Sequence, residues 1–313
     1  MALFDPSQVA SLLARCPRHQ VTPLLDLVIS KRGVRVKDES ARMGLGSFKA
    51  LGGAYAALRL IERAGTADLT FVTASAGNHG LSVAAGAQAF GARARIYLSA
   101  TVPEPFAARL RALGAEVVRS GADYEASVRA AIKDARETGA CHLADGSWPG
   151  YTEPPRLVME GYTVIAEELA SQLRAVGTWP DAVYLHAGVG GMAAAVTERI
   201  RAGWDVQPRI AIVEPEAAPC LKASVAAGQL VTVEGPVSAL GRLDCKQASM
   251  LAYEILRDQA DSFVTVSEAE AEHAACILTG AGHATTPSGA AGLAACLRED
   301  AAHPLIILSE GAE

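Results

Sequence analysis

Long apolar runs are missing from this chain of 313 residues. Its apolar stretches are short or broken by Gly and Pro, which argues against a membrane-spanning helix. The N-terminal segment MALFDPSQVASLLARCPRHQ carries an acid at Asp5 and has no apolar core, so it does not read as a secretory signal. Charge of one sign is not concentrated anywhere. The formal net charge is -6 with acids and bases interspersed, and no basic stripe points to a nucleic-acid or membrane partner. The six cysteines (Cys16, Cys141, Cys220, Cys245, Cys276, Cys296) form no C-x-x-C pair, and the seven histidines lack ligand spacing. Buried thiols in a reducing cytoplasm, and no bound metal, are the expectation. Aromatics make up only 5% of the residues, which suits closely packed helices on strands better than an all-β fold.

What the sequence does have is a regular alternation of strand and helix. VRVKDE (34–39), LTFVTAS (69–75), ARIYLS (94–99), EVVRS, DAVYLHAG (181–188), RIAIVEP (209–215) and PLIILS (304–309) read as strands. Helical periodicity fills the intervals: 49–63, 81–90, FAARLRALG up to Gly114, 124–137, 156–173, GMAAAVTERIRA, 268–280 and 288–299. This pattern predicts an α/β protein with open, mainly parallel twisted sheets flanked by helices. Half of the residues are apolar, enough for two lobes. The Pro-rich loop HLADGSWPGYTEPP (142–155) marks the expected boundary. Residues 1–40 and 155–313 would form a larger domain, and 41–154 a smaller one.

Three strand-to-helix connections stand out, because ligands of open α/β sheets bind outside the carboxyl ends of strands. GLGSFKALGG places an isolated lysine, Lys49, beside Phe48. TASAGNHG (73–80) offers backbone amides from Ser75, Ala76, Gly77 and Asn78 at a helix start, suited to a carboxylate. HAGVGGM (186–192) is a glycine-rich turn suited to a phosphate. Singly, each also fits a plainer role: a solvated lysine, a helix cap, a tight turn. Together they suit an amino-acid substrate and a cofactor that carries both phosphate and aldehyde, which is pyridoxal 5'-phosphate on a Schiff-base lysine.

These motifs, in this order, resemble those of the tryptophan synthase β-like (fold type II) pyridoxal phosphate enzymes across almost the whole chain. Within that group, VKDESARMGLGSFKALGGAYA, DGSWPGYTEPPRLVMEGY, VEPEAAPCLKAS and RLDCKQASMLAYEIL are most similar to segments of the diaminopropionate ammonia-lyases. The resemblance implies that Lys49 forms the Schiff base and then removes the Cα proton, with a lowered pKa. It implies that Phe48 frames the cofactor, Asn78 bonds its ring hydroxyl, and Gly188, Val189, Gly190, Gly191 and Met192 cradle its phosphate. Ser309 of ILSEG would meet the pyridine nitrogen. Ser75, Ala76, Gly77 and His79 would receive the substrate carboxylate. A homodimer is the family's usual state.

Two positions depart from the subgroup. The aspartate of its A-T-D-G-N-H-G motif, associated with the D-substrate, is Ala76 here, which predicts preference for the L-isomer. The C-G-E stretch reads Cys245-Lys246-Gln247, so a carboxylate that could hold the substrate's β-ammonium is lost. Asp145 is the candidate replacement, or else a turn residue bonding its own backbone. Glu214 matches an acidic metal ligand of serine racemase-like relatives, but Cys220 stands where a second acid would be wanted, so no metal is expected. The implied reaction is β-elimination of a small β-substituted amino acid, foremost L-2,3-diaminopropionate to pyruvate and ammonia. Alternatives are a serine/threonine or 3-hydroxyaspartate dehydratase, a cysteine-synthase-like β-replacement enzyme, and a binder without turnover.

Overall fold

The computed structural model describes residues 3–312. The chain begins with α1 (Pro6–Leu13), whose first amides at Ser7 and Gln8 donate to the Asp5 carboxylate. A hairpin of β1 (Leu24–Ile29) and β2 (Arg32–Asp38) follows, and then α2 (Lys49–Ala64), which ends at Gly65 with φ +67°. The next block alternates β3 (Thr70–Ala74), α3 (Asn78–Ala89), β4 (Arg93–Leu98), α4 (Glu104–Ala112), β5 (Glu116–Arg119), α5 (Tyr124–Thr138) and the short β6 (Cys141–His142). After the long α6 (Glu153–Val176) come β7 (Ala182–His186), α7 (Gly191–Gly203), β8 (Arg209–Pro215), α8 (Cys220–Ala227) and α9 (Met250–Gln259). The chain closes with β9 (Ser262–Val266), α10 (Glu268–Gly280), α11 (Pro287–Cys296) and β10 (Pro304–Leu308).

The strands form two sheets of the expected class. One has the order β1-β2-β10-β7-β8-β9, the other β5-β4-β3-β6. Every pairing is parallel except β1 with β2. The largely apolar runs AVYLH and PLIIL are fully buried at the centre of the larger sheet, as strands covered on both faces must be. β10 is inserted between β2 and β7, so the last residues of the chain emerge beside the connection that leads into α2. The Phe48 amide donates to the Ser309 carbonyl at 3.1 Å, and Ser47 bridges to Glu310.

The two glycines after Lys49 serve helix packing. A Cβ at Gly53 would lie 2.5 Å from the Ser82 backbone on α3, and one at Gly52 would lie 2.6 Å from the Tyr162 ring on α6. With no side chain there, α2 settles into close contact with both neighbours. Beneath it, Lys37, Glu39, Arg42 and Glu168 form a buried ionic cluster. Arg42 donates to Glu39 at 2.6 Å and to Glu168 at 2.8 Å, and Lys37 to Glu168 at 2.7 Å.

Three sequence expectations need correcting. The end of the 142–155 loop is helical, since α6 begins at Glu153 with prolines in its first turn, where a missing N–H costs nothing. Asn78, His79 and Gly80 already belong to α3. The thiols are not all buried: Cys16, Cys220 and Cys296 are, Cys141 and Cys245 are half-buried, and Cys276 on α10 is exposed. Among the described residues no helix is long and apolar enough to cross a membrane.

Candidate active site

Lys49 opens α2, a position set by the anchoring of Ser47 and Phe48 to the end of β10. Its ammonium lies 5.6 Å from the centre of the Phe48 ring, which meets Tyr162 edge-on at 5.0 Å. Its direct partner is the carboxylate of Asp145. Burial by itself would lower the lysine's pKa, but Asp145 more than offsets it and holds the amine above its usual value. The lowered pKa expected from the sequence is therefore absent while the two are paired. Burial likewise favours neutral Asp145, yet the Lys49 ammonium, then His79, hold its carboxyl well below the usual range.

The loop that carries Asp145 is pinned on both sides. Trp148 stacks on Tyr151 with centroids 4.3 Å apart, and the Tyr151 hydroxyl donates to the His142 carbonyl at 2.7 Å. Further along, the hydroxyls of Ser147 and Ser249 lie 2.8 Å apart, and the Leu251 amide donates to Ser147 at 2.9 Å.

Ser75, Ala76 and Gly77 form the turn from β3 into α3. The Gly77 cap leaves the helix without a side-chain cap, so its first amides are free of side-chain acceptors. The His79 ring is committed elsewhere: its Nε2 lies 2.8 Å from the Leu143 carbonyl, so the side chain ties α3 to the Asp145 loop. Its Nδ1 is buried with no hydrogen-bond partner among the described residues. The Asn78 amide donates to Glu310. Glu310 is buried, accepts from the Thr286 hydroxyl and pairs with Arg242 Nε at 2.8 Å. A Cβ at Gly77 would lie 3.0 Å from Arg242 Nη1, which puts the guanidinium against the turn from β3 into α3.

The glycine-rich turn from β7 into α7 is equally bare. Gly190 caps α7 at φ +95°, with no side-chain cap and no acid in the first turn. A Cβ at Gly188 would lie 2.9 Å from Cys245 Sγ and 3.1 Å from the Arg242 carbonyl oxygen. The strand before the turn ends at His186, whose Nε2 lies 2.7 Å from the Ser309 hydroxyl. Burial pushes the His186 imidazole down to about 4, so the ring is neutral at physiological pH. Lys246 does not enter the site. Its ammonium donates to Asp244 at 2.6 Å and to the carbonyls of Ala217 and Pro236.

Glu214 accepts the amides of Leu221 at 2.7 Å and Lys222 at 2.8 Å, so it caps α8. Among the described residues no group of three His, Cys, Asp or Glu side chains could hold a metal. Arg242, Glu310, Tyr162 and His186 escaped the motif reading. The signal for Tyr162 was present in the M-E-G-Y segment, whereas the other three depend on contacts remote in sequence.

These residues fit pyridoxal phosphate on two structural grounds. The Tyr162 hydroxyl is buried with no hydrogen-bond partner, and its ring would touch a Cβ at Gly191 at 3.8 Å, beside the glycine turn. A buried phenol of this kind calls for a ligand oxygen. The turn itself offers a helix N-terminus with uncapped amides, facing the half of the site that holds the lysine.

Comparison with known proteins agrees. The family model described as pyridoxal-phosphate dependent enzyme matches residues 17–305. Diaminopropionate ammonia-lyase of Escherichia coli strain K12 is 34% identical over 276 residues, which span 81% of this chain and 69% of that protein. The solved structure of Escherichia coli diaminopropionate ammonia lyase in complex with an aminoacrylate-PLP azomethine reaction intermediate has a TM-score of 0.88 at 30% identity, covering 99% of this chain and 90% of that one. The solved structure of a T.th. threonine deaminase has a TM-score of 0.87 at 28% identity, covering 98% of this chain and 97% of that one. Motifs, site and matches converge: the chain belongs to the pyridoxal-phosphate dependent enzymes and uses pyridoxal 5'-phosphate as its cofactor.

Proposed function

We propose that the protein is a β-eliminating ammonia-lyase that converts L-2,3-diaminopropionate to pyruvate and ammonia. The observation that carries this reading is the half-buried contact between Asp145 and Lys49. It sets a carboxylate beside the amine that holds the cofactor, where the β-ammonium of a diamino acid finds its counter-charge. When bound, the cofactor supplies an electron-withdrawing ring system that stabilises the negative charge left at the substrate's Cα.

The chain's own residues do the rest. Lys49 Nζ holds the cofactor and takes the Cα proton. While paired with Asp145 it is too firmly protonated for that task; once Asp145 turns to the substrate's ammonium, burial pushes the lysine down toward a useful base. Amides of Gly188, Val189, Gly190, Gly191 and Met192 hold the phosphate, Phe48 walls the ring, and Asn78 and Ser309 bond its edge. Amides at Ser75, Ala76, Gly77 and His79 receive the substrate carboxylate. Ala76 offers no base, which favours the L-isomer. We read segments 1–40 and 155–313 as one domain and 41–154 as the other, with the site between them, in a cytoplasmic homodimer.

One observation favours a second reading. Arg242 against the Gly77 cradle would suit a substrate with a second carboxylate, so dehydration of 3-hydroxyaspartate is the alternative. The test is release of 2-oxo acid by cofactor-loaded protein from L- and D-2,3-diaminopropionate, L-serine, L-threonine and 3-hydroxyaspartate side by side. Pyruvate release much faster from the L-diamino acid than 2-oxo acid release from any of the others supports the proposal. Turnover confined to 3-hydroxyaspartate replaces it with the alternative, and turnover confined to the neutral hydroxy amino acids overturns both.

A further inference from the structure

His186 lies two residues before Gly188, the first of the residues given to the phosphate, and nothing in the proposed reaction uses it. It sits at the end of β7, only 3% exposed, with Nε2 facing the Ser309 hydroxyl at 2.7 Å. Its other ring nitrogen, Nδ1, is buried with no hydrogen-bond partner. It points toward α11, where a Cβ built on Gly292 would be 3.6 Å away.

A neutral imidazole carries one proton, on one nitrogen or the other. On Nδ1 that proton would be a buried donor with nothing to accept it, and unpaired buried donors are avoided more strictly than unpaired acceptors. The proton therefore belongs on Nε2, which then donates to Ser309 Oγ. Among the described residues the Ser309 hydroxyl has no other hydrogen-bond partner, so its own proton is free for an acceptor in the site.

We propose that His186 is a positioning residue that orients the Ser309 hydroxyl as a donor toward the ring nitrogen of pyridoxal phosphate and so keeps that nitrogen unprotonated. The inference rests on the reading that Ser309 meets the ring nitrogen. A chain with an acceptor in place of His186 would turn the serine proton away and leave an oxygen lone pair to stabilise a protonated ring. His186 thus acts on the balance between elimination and side reactions that need a protonated ring, without touching substrate or cofactor.

The test uses holoenzyme with 15N-histidine, His186→Gln for assignment, and cofactor dissociation constants for S309A, H186L and H186Q. In the wild type, the His186 resonances should report a proton on Nε2 and a bare Nδ1. S309A should bind pyridoxal phosphate about tenfold more weakly, the worth of one neutral hydrogen bond. H186L should show a similar loss, and H186Q, which keeps an amide donor, should recover most of it. Unchanged cofactor binding in S309A overturns the placement of Ser309. A clear S309A effect with unchanged H186L, or a proton found on Nδ1, overturns the role of His186 alone. Should H186L fail to fold, the resonances and H186Q still decide.

Discussion

Removing the charge of Asp145 while keeping its shape, as in Asp145→Asn, should separate diaminopropionate from its hydroxy analogues. The Asp145 side chain keeps 26% exposure, so screening near its carboxylate is intermediate rather than that of a dry interior. At an effective dielectric near 20 and roughly 4 Å, unit charges attract by ~4 kcal/mol, part of which desolvation cancels. Truncating one partner of such a pair costs about 2–5 kcal/mol. Taking about 3 kcal/mol, kcat/KM for L-2,3-diaminopropionate should fall roughly 100-fold. L-Serine, which is neutral at its β-position, loses only a hydrogen bond of about 1 kcal/mol and should fall about fivefold. Pyruvate release, followed by coupled reduction, gives both values, and cofactor absorbance confirms equal loading. The reasoning fails if the two substrates lose activity by the same factor, because Asp145 would then act on Lys49 alone.

Other perturbations follow from particular contacts. Ala76→Asp places a carboxylate in the turn after β3, and turnover of D-2,3-diaminopropionate relative to the L-isomer should rise about 100-fold, the low end for an added general base; pyruvate release measured separately from each isomer reads it. Gly53→Ala drives a methyl group to 2.5 Å from the Ser82 backbone, so the urea midpoint should fall by the equivalent of about 1–3 kcal/mol. Glu214 is pushed by burial up to about 7 from 4.5, despite the two amides it accepts. A carboxyl raised on folding stabilises most below its unfolded pKa, and that contribution fades as pH rises through 7. Wild-type Tm should therefore decline between pH 5 and 8, by the equivalent of roughly 3 kcal/mol from this group, and Glu214→Gln should flatten the decline.

Strands β7, β8 and β10 were the most legible, because burial on both faces writes itself into composition. β1 escaped since LLDLVI lies at a sheet edge and is only partly buried, and its turn runs through Ser30 and Lys31 at φ 50° and 66° without a glycine to announce it. β6 is two residues long and leaves no pattern. The starts of α3 and α6 were missed for opposite reasons: Asn-His-Gly reads as a turn, and Pro-Pro reads as a break. At the site, Lys49 and both bare turns were visible because each is a local strand-to-helix motif. Asn78 and Glu310 are 232 positions apart, and His186 and Ser309 are 123 apart. Such pairs exist only because β10 threads between β2 and β7, a topological fact that no local window contains.

That threading also explains how a carboxylate can stand next to Ser309 in sequence without acting where Ser309 acts. Successive side chains of an extended segment point to opposite sides. Ser309 turns toward His186, while Glu310 turns toward Asn78, Thr286 and Arg242, where the guanidinium and two donors absorb its charge. A slip of one residue in the register of β10 would exchange the two, presenting an acid where the proposed reading needs a neutral hydroxyl. An acid there would favour a protonated ring and delocalise charge away from Cα, against rapid loss of a β-substituent. The register is held by the pairing of Leu305 to Leu308 with Arg35 to Asp38, and by the bond from Phe48 to the Ser309 carbonyl. The strand pairing that builds the core of the larger sheet is in this way the same pairing that, in the proposed reading, selects which side chain faces the cofactor.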